Sequence, residues 1–209
     1  MVGRTLSTDY VGPITPKTMG GANGFIIFKC TVSGFRTVYL VKSKTAFANC
    51  VNKVVNWWAR KGKSVRKIRI DAGTVENSEE ASKQIEEIAR RTGGLEFDTV
   101  PPGSQEKNPV ERDVQWIKRR IPLLLSEQNT LGASAWGHAL LDIIDTENMA
   151  VNTLSREREE GMQTAYYCVY GHNPSMEQRK YSWGQLVTVQ KQKTKRMEVK
   201  NVIGAAVEM

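Results

Sequence analysis

A chain of 209 residues, 40% apolar and 25% charged, is long enough for one well-packed domain with a small appendage, and its make-up is neither fibrous nor disordered. Its longest apolar runs, such as residues 121–125, are far too short to cross a bilayer, and the first residues carry no apolar signal core. An intracellular protein with no membrane partner is therefore expected. Thirty Lys and Arg against twenty-two Asp and Glu leave a charge of +8, which favours a polyanionic partner without identifying one.

The first third reads as strands. Residues 2–11 carry Val2, Leu6 and Val11 and stop at the turn signal Gly12-Pro13. Phe25-Ile26-Ile27-Phe28 follows a Gly-rich turn at 20–24, and the strand-forming run 35–41 follows Ser33-Gly34. From Lys44 the period becomes helical. Phe47, Val51, Val54, Val55 and Trp58 share one face of a helix over 44–61, which Gly62 closes. Residues 65–70 form a fourth strand, reached through a helix and so expected to run parallel to an earlier one. Ser78 opens a second helix that runs to Thr92 and stops at Gly93-Gly94. Residues 95–100 are a fifth strand, ended by Pro101-Pro102. From Lys107 to about Cys168 the chain reads as helices, broken at Pro122 and near Asn152. After Pro174 comes a strand-like tail with Leu186-Val187-Thr188-Val189 and Val202-Ile203-Gly204. This order predicts an α/β core over 1–174, a mixed five-stranded sheet flanked by helices, with 175–209 beginning a small β-rich region.

Cys30, Cys50 and Cys168 are scattered and odd in number, and His138 and His172 are far apart, so neither a disulfide framework nor a zinc site is expected. Trp57, Trp58, Trp116 and Trp136 are expected in the core or at a subunit interface rather than as base-stacking platforms.

Chemistry is best sought among the acids. Asp71 ends the fourth strand, and ligands of open α/β sheets gather at the carboxyl ends of strands. Asp9 sits near the end of the first strand, and if strands one and four are neighbours the two carboxylates face each other. Two such ionised groups repel unless a cation intervenes, and hard divalent cations take oxygen ligands. A lone Asp at a strand end also serves as a turn cap. Glu111 opens a helix with Pro109 in its first turn. Val110, Val114, Ile117 and Ile121 make its core stripe, with Glu111, Gln115, Lys118 and Arg119 on the adjoining polar one. On spacing alone that stripe reads rather as a solvated face with a dipole-favoured Glu at the helix start.

The order of these segments resembles the integrases of copia-type LTR retrotransposons and, more distantly, of retroviruses. Thr8-Asp9-Tyr10-Val11-Gly12-Pro13-Ile14 resembles the family's first-Asp strand, residues 33–44 the strand and lysine that follow, Ile68-Arg69-Ile70-Asp71-Ala72-Gly73 the second-Asp motif, and Asn108-Pro109-Val110-Glu111-Arg112 the Glu motif. Ala135-Trp136-Gly137-His138-Ala139 resembles a Trp-x-x-Ala helix with Asn152 near its end. Tyr170-Gly171-His172-Asn173-Pro174 resembles the Gly-x-x-Pro that follows, while Trp183-Gly184 and Val202-Ile203-Gly204 resemble the start of the small region after the core.

The resemblance implies a ribonuclease-H-like fold and two-metal phosphoryl transfer with two Mg²⁺ or Mn²⁺ ions about 4 Å apart. Asp9 would bridge both, with Asp71 and Glu111 each completing one. Water as attacker gives 3′-end processing, and the freed 3′-hydroxyl gives strand transfer. The implied partners are element-end and target DNA and further copies of the chain, in the nucleus when chromosomal DNA is the target. Lys107, Gln115, Lys118 and Arg119 would hold DNA phosphates rather than read sequence. The basic run 191–196 would add phosphate contacts, serve nuclear import or remain a solvated tail. The chain also departs from the family. The interval from Asp71 to Glu111 is a few residues longer, and the Glu motif is one residue shorter than Asn-Gly-x-x-Glu-Arg. Lys29-Cys30-Thr31 stands where many relatives have acids, in a position expected to lie away from the triad. The family's N-terminal His/Cys zinc module has no counterpart, leaving a core with part of a tail. Two rival readings are a plain nuclease on the same fold and a non-catalytic DNA-binding protein derived from a decayed element.

Overall fold

The computed structural model describes residues 1–71, 79–100, 109–127, 132–150, 164–175, 186–191 and 198–203, with backbone alone at 71, 79–82, 100, 186–191 and 198–203. Ser78, Lys107, Asn152, Trp183, Gly204 and the run 192–196 lie outside the described residues.

Three strands, β1 (Thr5–Val11), β2 (Gly24–Cys30) and β3 (Arg36–Val41), form an antiparallel meander. Helix α1 (Phe47–Arg60) then carries the chain across to β4 (Lys67–Asp71), which pairs parallel with β1, and α2 (Glu79–Arg91) leads to β5 (Glu96–Val100), parallel with β4. The sheet order is therefore β3-β2-β1-β4-β5, with β1 at its centre. This is the expected mixed five-stranded sheet, and the two parallel pairings arise where a helix makes the return crossing. Helices α3 (Pro109–Ser126), α4 (Trp136–Met149) and α5 (Ala165–Tyr170) follow. Last come β6 (Leu186–Lys191) and β7 (Glu198–Ile203), which pair antiparallel as a separate two-stranded sheet.

Two cores sandwich the sheet. On one face Leu6, Ile26, Phe28, Ile68 and Ile70 pack with Phe47, Val51, Val54, Val55 and Trp58 of α1 and Ile88 of α2. On the other, Val11, Phe25 and Ile27 pack with Val110, Val114 and Ile117 of α3 and Trp136, Leu140, Ile143 and Ile144 of α4. The apolar stripes of α1 and α3 are the ones their periodicity predicts, and each fully buried large side chain among them stabilises by about 1.5–3 kcal/mol. Trp58 and Trp136 are core residues, while Trp57 and Trp116 are half-buried against the same two cores. Trp136 also donates its indole N–H to the Pro16 carbonyl at 2.8 Å. The three cysteines are free thiols, and burial pushes that of Cys50 up to about 11.

Two expectations about local structure need correcting. The helix carrying Glu111 does not break at Pro122, because α3 continues through it to Ser126. Pro122 removes the amide that would bond the Lys118 carbonyl, but both residues are exposed, so water can satisfy that oxygen within the helix's last turns. Likewise the helix predicted over 44–61 begins with a short 3₁₀ turn at Lys44–Ala46. At the other end of the core, α5 has the sharp limits its sequence allows. The Thr164 hydroxyl accepts from the Tyr167 amide at 2.9 Å, and Gly171, at φ +76°, supplies the left-handed cap.

Candidate active site

Strand alternation decides which side of the sheet Asp9 serves. Leu6 and Tyr10 pack with the α1 side and Val11 with α3 and α4, so Asp9 shares the α3 face with Val11. Along the central pairing, Thr8 stands opposite Ile70, which places Asp9 and Asp71 one residue further on, level with each other at the carboxyl ends of adjacent parallel strands. The Asp9 carboxylate accepts the Tyr10 amide at 2.7 Å. Glu111 lies in the first turn of α3 and is half-buried. That turn sits over the sheet beside Lys29, whose partner across the β1–β2 ladder is Ser7, two residues before Asp9. The backbone therefore brings Asp9 and Asp71 to one level of the sheet, and the first turn of α3 to the same face as Asp9.

These three residues offer only carboxylate oxygens, the donors that Mg²⁺ and Mn²⁺ prefer, and in that respect they fit the implied ions. Among the described side chains, which do not include Asp71's, no group of three or more His, Cys, Asp and Glu converges.

The first two turns of α3 also carry a charge cluster that sequence reasoning missed. Asp113 is buried, and its carboxylate meets Lys29 Nζ at 2.9 Å and the Arg36 guanidinium at 2.8 and 3.1 Å. Lys29 also donates to the Pro109 carbonyl at 3.2 Å, and Arg36 to the Gly34 carbonyl at 3.2 Å. Arg36 is fixed through its backbone as well, since its amide donates to the Asn148 side chain and its carbonyl accepts from it, each at 2.8 Å. Burial holds the Lys29 ammonium below its ordinary range, and Asp113 opposes that effect. Lys29 thus grips the first turn of α3 by the flank that carries Asp113, two residues or about 200° round the helix from Glu111. Lys29 and Pro109 are distant in sequence, and only the packing of α3 across β2 joins them. No local signal announced the cluster, although a lysine in an otherwise apolar strand is a residue whose partner should be sought.

Further along α3, Gln115, Lys118 and Arg119 are exposed, as are Arg112 and Arg120, the latter lying over the Trp116 ring at 5.8 Å. Sequence reasoning did not assign Arg112 or Arg120 a role. Where cations on a helix do meet DNA phosphates, they fix position and carry no base information. If these side chains hold DNA as the resemblance implies, replacing both Lys118 and Arg119 by Glu should weaken binding of all DNA sequences about equally. It should also flatten the dependence of log affinity on log salt by roughly one unit per lost contact. A salt titration with an unchanged slope would place the DNA elsewhere.

No known family model matches the chain. The chain is similar to one in the cryo-EM structure of a simian T-cell lymphotropic virus intasome in complex with the PP2A regulatory subunit B56 gamma, with a TM-score of 0.55 and 17% sequence identity. The similarity covers 91% of this chain and 60% of that one, so the chain spans less than two thirds of its neighbour's length. At this identity the comparison speaks to the fold, which is ribonuclease-H-like and similar to that of a retroviral intasome component.

Proposed function

We propose that this protein is a metal-dependent polynucleotidyl transferase of integrase type, from a copia-type LTR retrotransposon, acting on DNA in the nucleus. The observation that carries the reading is the β1–β4 register, which sets Asp9 and Asp71 level at the centre of the sheet on the framework that also supports Glu111. The integrase-like fold supports it, as do the cations that α3 presents to solvent beyond Glu111.

In this reading Asp9, Asp71 and Glu111 hold two Mg²⁺ or Mn²⁺ ions. When bound, such ions supply Lewis acidity to an attacking oxygen and to the leaving oxygen of an in-line displacement. The carboxylates hold and orient, while Gln115, Lys118 and Arg119, with Lys107 two residues before α3, keep the phosphate backbone in place. Partner DNA comprises element ends and target, and the working species is a homo-oligomer.

A branched oligonucleotide that already joins a donor end to a target strand provides a direct test, because the DNA itself then brings the 3′-hydroxyl and the phosphodiester together. With Mn²⁺ or Mg²⁺ the protein is expected to release the donor and reseal the target strand, and without divalent metal to do neither. Cutting without resealing would favour a plain nuclease on the same fold. Binding with no metal-dependent chemistry would favour a non-catalytic DNA-binding protein.

A further inference from the structure

The Lys29–Asp113–Arg36 cluster has a placement that fold stability alone does not explain. Buried ion clusters do little for net stability, since apolar groups of similar volume usually serve as well or better, and their best-attested use is to fix the register of one element against another. Here the register concerned is that of α3. Lys29 Nζ contacts the Pro109 carbonyl and the Asp113 carboxylate, two points one helical turn apart that bracket Glu111 in sequence, with Glu111 on the other flank of the helix. The Arg36 guanidinium meets both oxygens of the same carboxylate, a two-toothed grip that sets rotation as well as distance. Arg36 is in turn held by the Gly34 carbonyl and by the paired amide bonds to Asn148 of α4. Successive residues of a helix are about 100° apart, so a slip of one position would carry Glu111 off its present bearing and draw Asp113 out of the cluster.

We propose that Lys29 and Arg36, acting through Asp113, are positioning residues that fix the height and rotation of Glu111 relative to Asp9. The role rests on the functional reading above, in which Glu111 and Asp9 share metal ions. Lys29 belongs to β2, the immediate neighbour of the strand that carries Asp9. The cluster thus ties the first turn of α3 to the same rigid framework as the first carboxylate. A site of this kind needs its groups held to within a fraction of an ångström.

The test removes the charges together, so that no ion is left buried without a partner. A triple variant, Lys29→Met, Arg36→Met and Asp113→Leu, is expected to melt at or above the parent's temperature. It should require at least about tenfold more Mn²⁺ both for half-maximal resealing of the branched oligonucleotide and for half-saturation followed by the electron paramagnetic resonance of free Mn²⁺. Its affinity for DNA in the absence of metal should not change. Should the triple variant not fold, Arg36→Lys keeps the charge and loses the fork, and a smaller shift in the same direction is expected from the same two titrations. A folded variant with the parent's Mn²⁺ requirement in both would show that the cluster only anchors the helix, and would overturn the positioning role while leaving the functional reading intact. A parent that neither binds Mn²⁺ nor reseals DNA would overturn that reading, and the positioning role with it.

Discussion

Asp113→Ala is expected to cost about 3–5 kcal/mol of folding stability, the range seen when one member of a buried ionic group is removed and its partners remain. The carboxylate side chain is 11% exposed, and it is the shared acceptor for an ammonium that is 8% exposed and a guanidinium that is 15% exposed. Deleting it leaves two cations out of water facing each other. Each keeps one backbone carbonyl, Pro109 for Lys29 and Gly34 for Arg36, which does not neutralise either charge. The loss should also depend on pH in a definite sense. Burial already holds Lys29 below its ordinary value of 10.5, and Asp113 is the main influence opposing that. Without Asp113 the folded protein binds that proton still more weakly than the unfolded chain does. Stability therefore rises with pH across the window below 10.5, more steeply in the variant than in the parent. Urea denaturation at neutral and at alkaline pH reads both effects. A loss below about 1 kcal/mol at neutral pH would mean that water reaches the cluster and that the ion pairs behave as surface ones.

The contrast between Asp113 and its neighbours shows what a single sequence makes legible here. The stripe Val110, Val114 and Ile117 announces itself by period, and α1 does so through Phe47, Val51, Val54 and Trp58, because burial of one helix face leaves a regular imprint. Asp113 breaks the pattern. A carboxylate beside a core stripe reads as solvated, and its burial depends on Lys29 and Arg36, which approach from two strands far away in the chain. Tertiary pairing of that kind leaves no local trace. Gly137 is a similar case. The Trp-x-x-Ala pattern identifies Trp136 and Ala139, both buried, yet the glycine between them is required for a different reason. A Cβ there would stand 2.8 Å from the Thr18 methyl and 3.0 Å from Leu40, where α4 meets the sheet edge and the loop before β2. The Asp9–Asp71 alignment falls between these extremes. Each residue could be placed at the end of a strand from sequence, but their common level depends on β4 inserting beside β1, which only the sheet order decides.

The three carboxylates should be dispensable for folding and necessary for chemistry, and amide substitutions separate the two most cleanly. Asp9→Asn retains the oxygen that accepts the Tyr10 amide at 2.7 Å, so the local backbone bond survives while the charge is lost. Glu111→Gln keeps the volume of a half-buried side chain in the first turn of α3. Asp71→Asn removes one of two acids that the strand register sets side by side. Like charges brought together oppose folding in the absence of metal, so each variant is expected to melt at the parent's temperature or slightly above it in a chelator. Activity should behave in the opposite way. Metal ions contribute several kcal/mol to such displacements, and each 1.4 kcal/mol or so is a factor of ten, so loss of one ligand charge should lower the rate of resealing by on the order of 10³-fold or more in Mg²⁺. The stabilising effect of added Mn²⁺ on the melting temperature should disappear in step, because that increment arises only from binding to the folded state. Retention of most of the strand-cutting rate by Asp71→Asn or Glu111→Gln would remove that residue from the site, whatever its place in the fold.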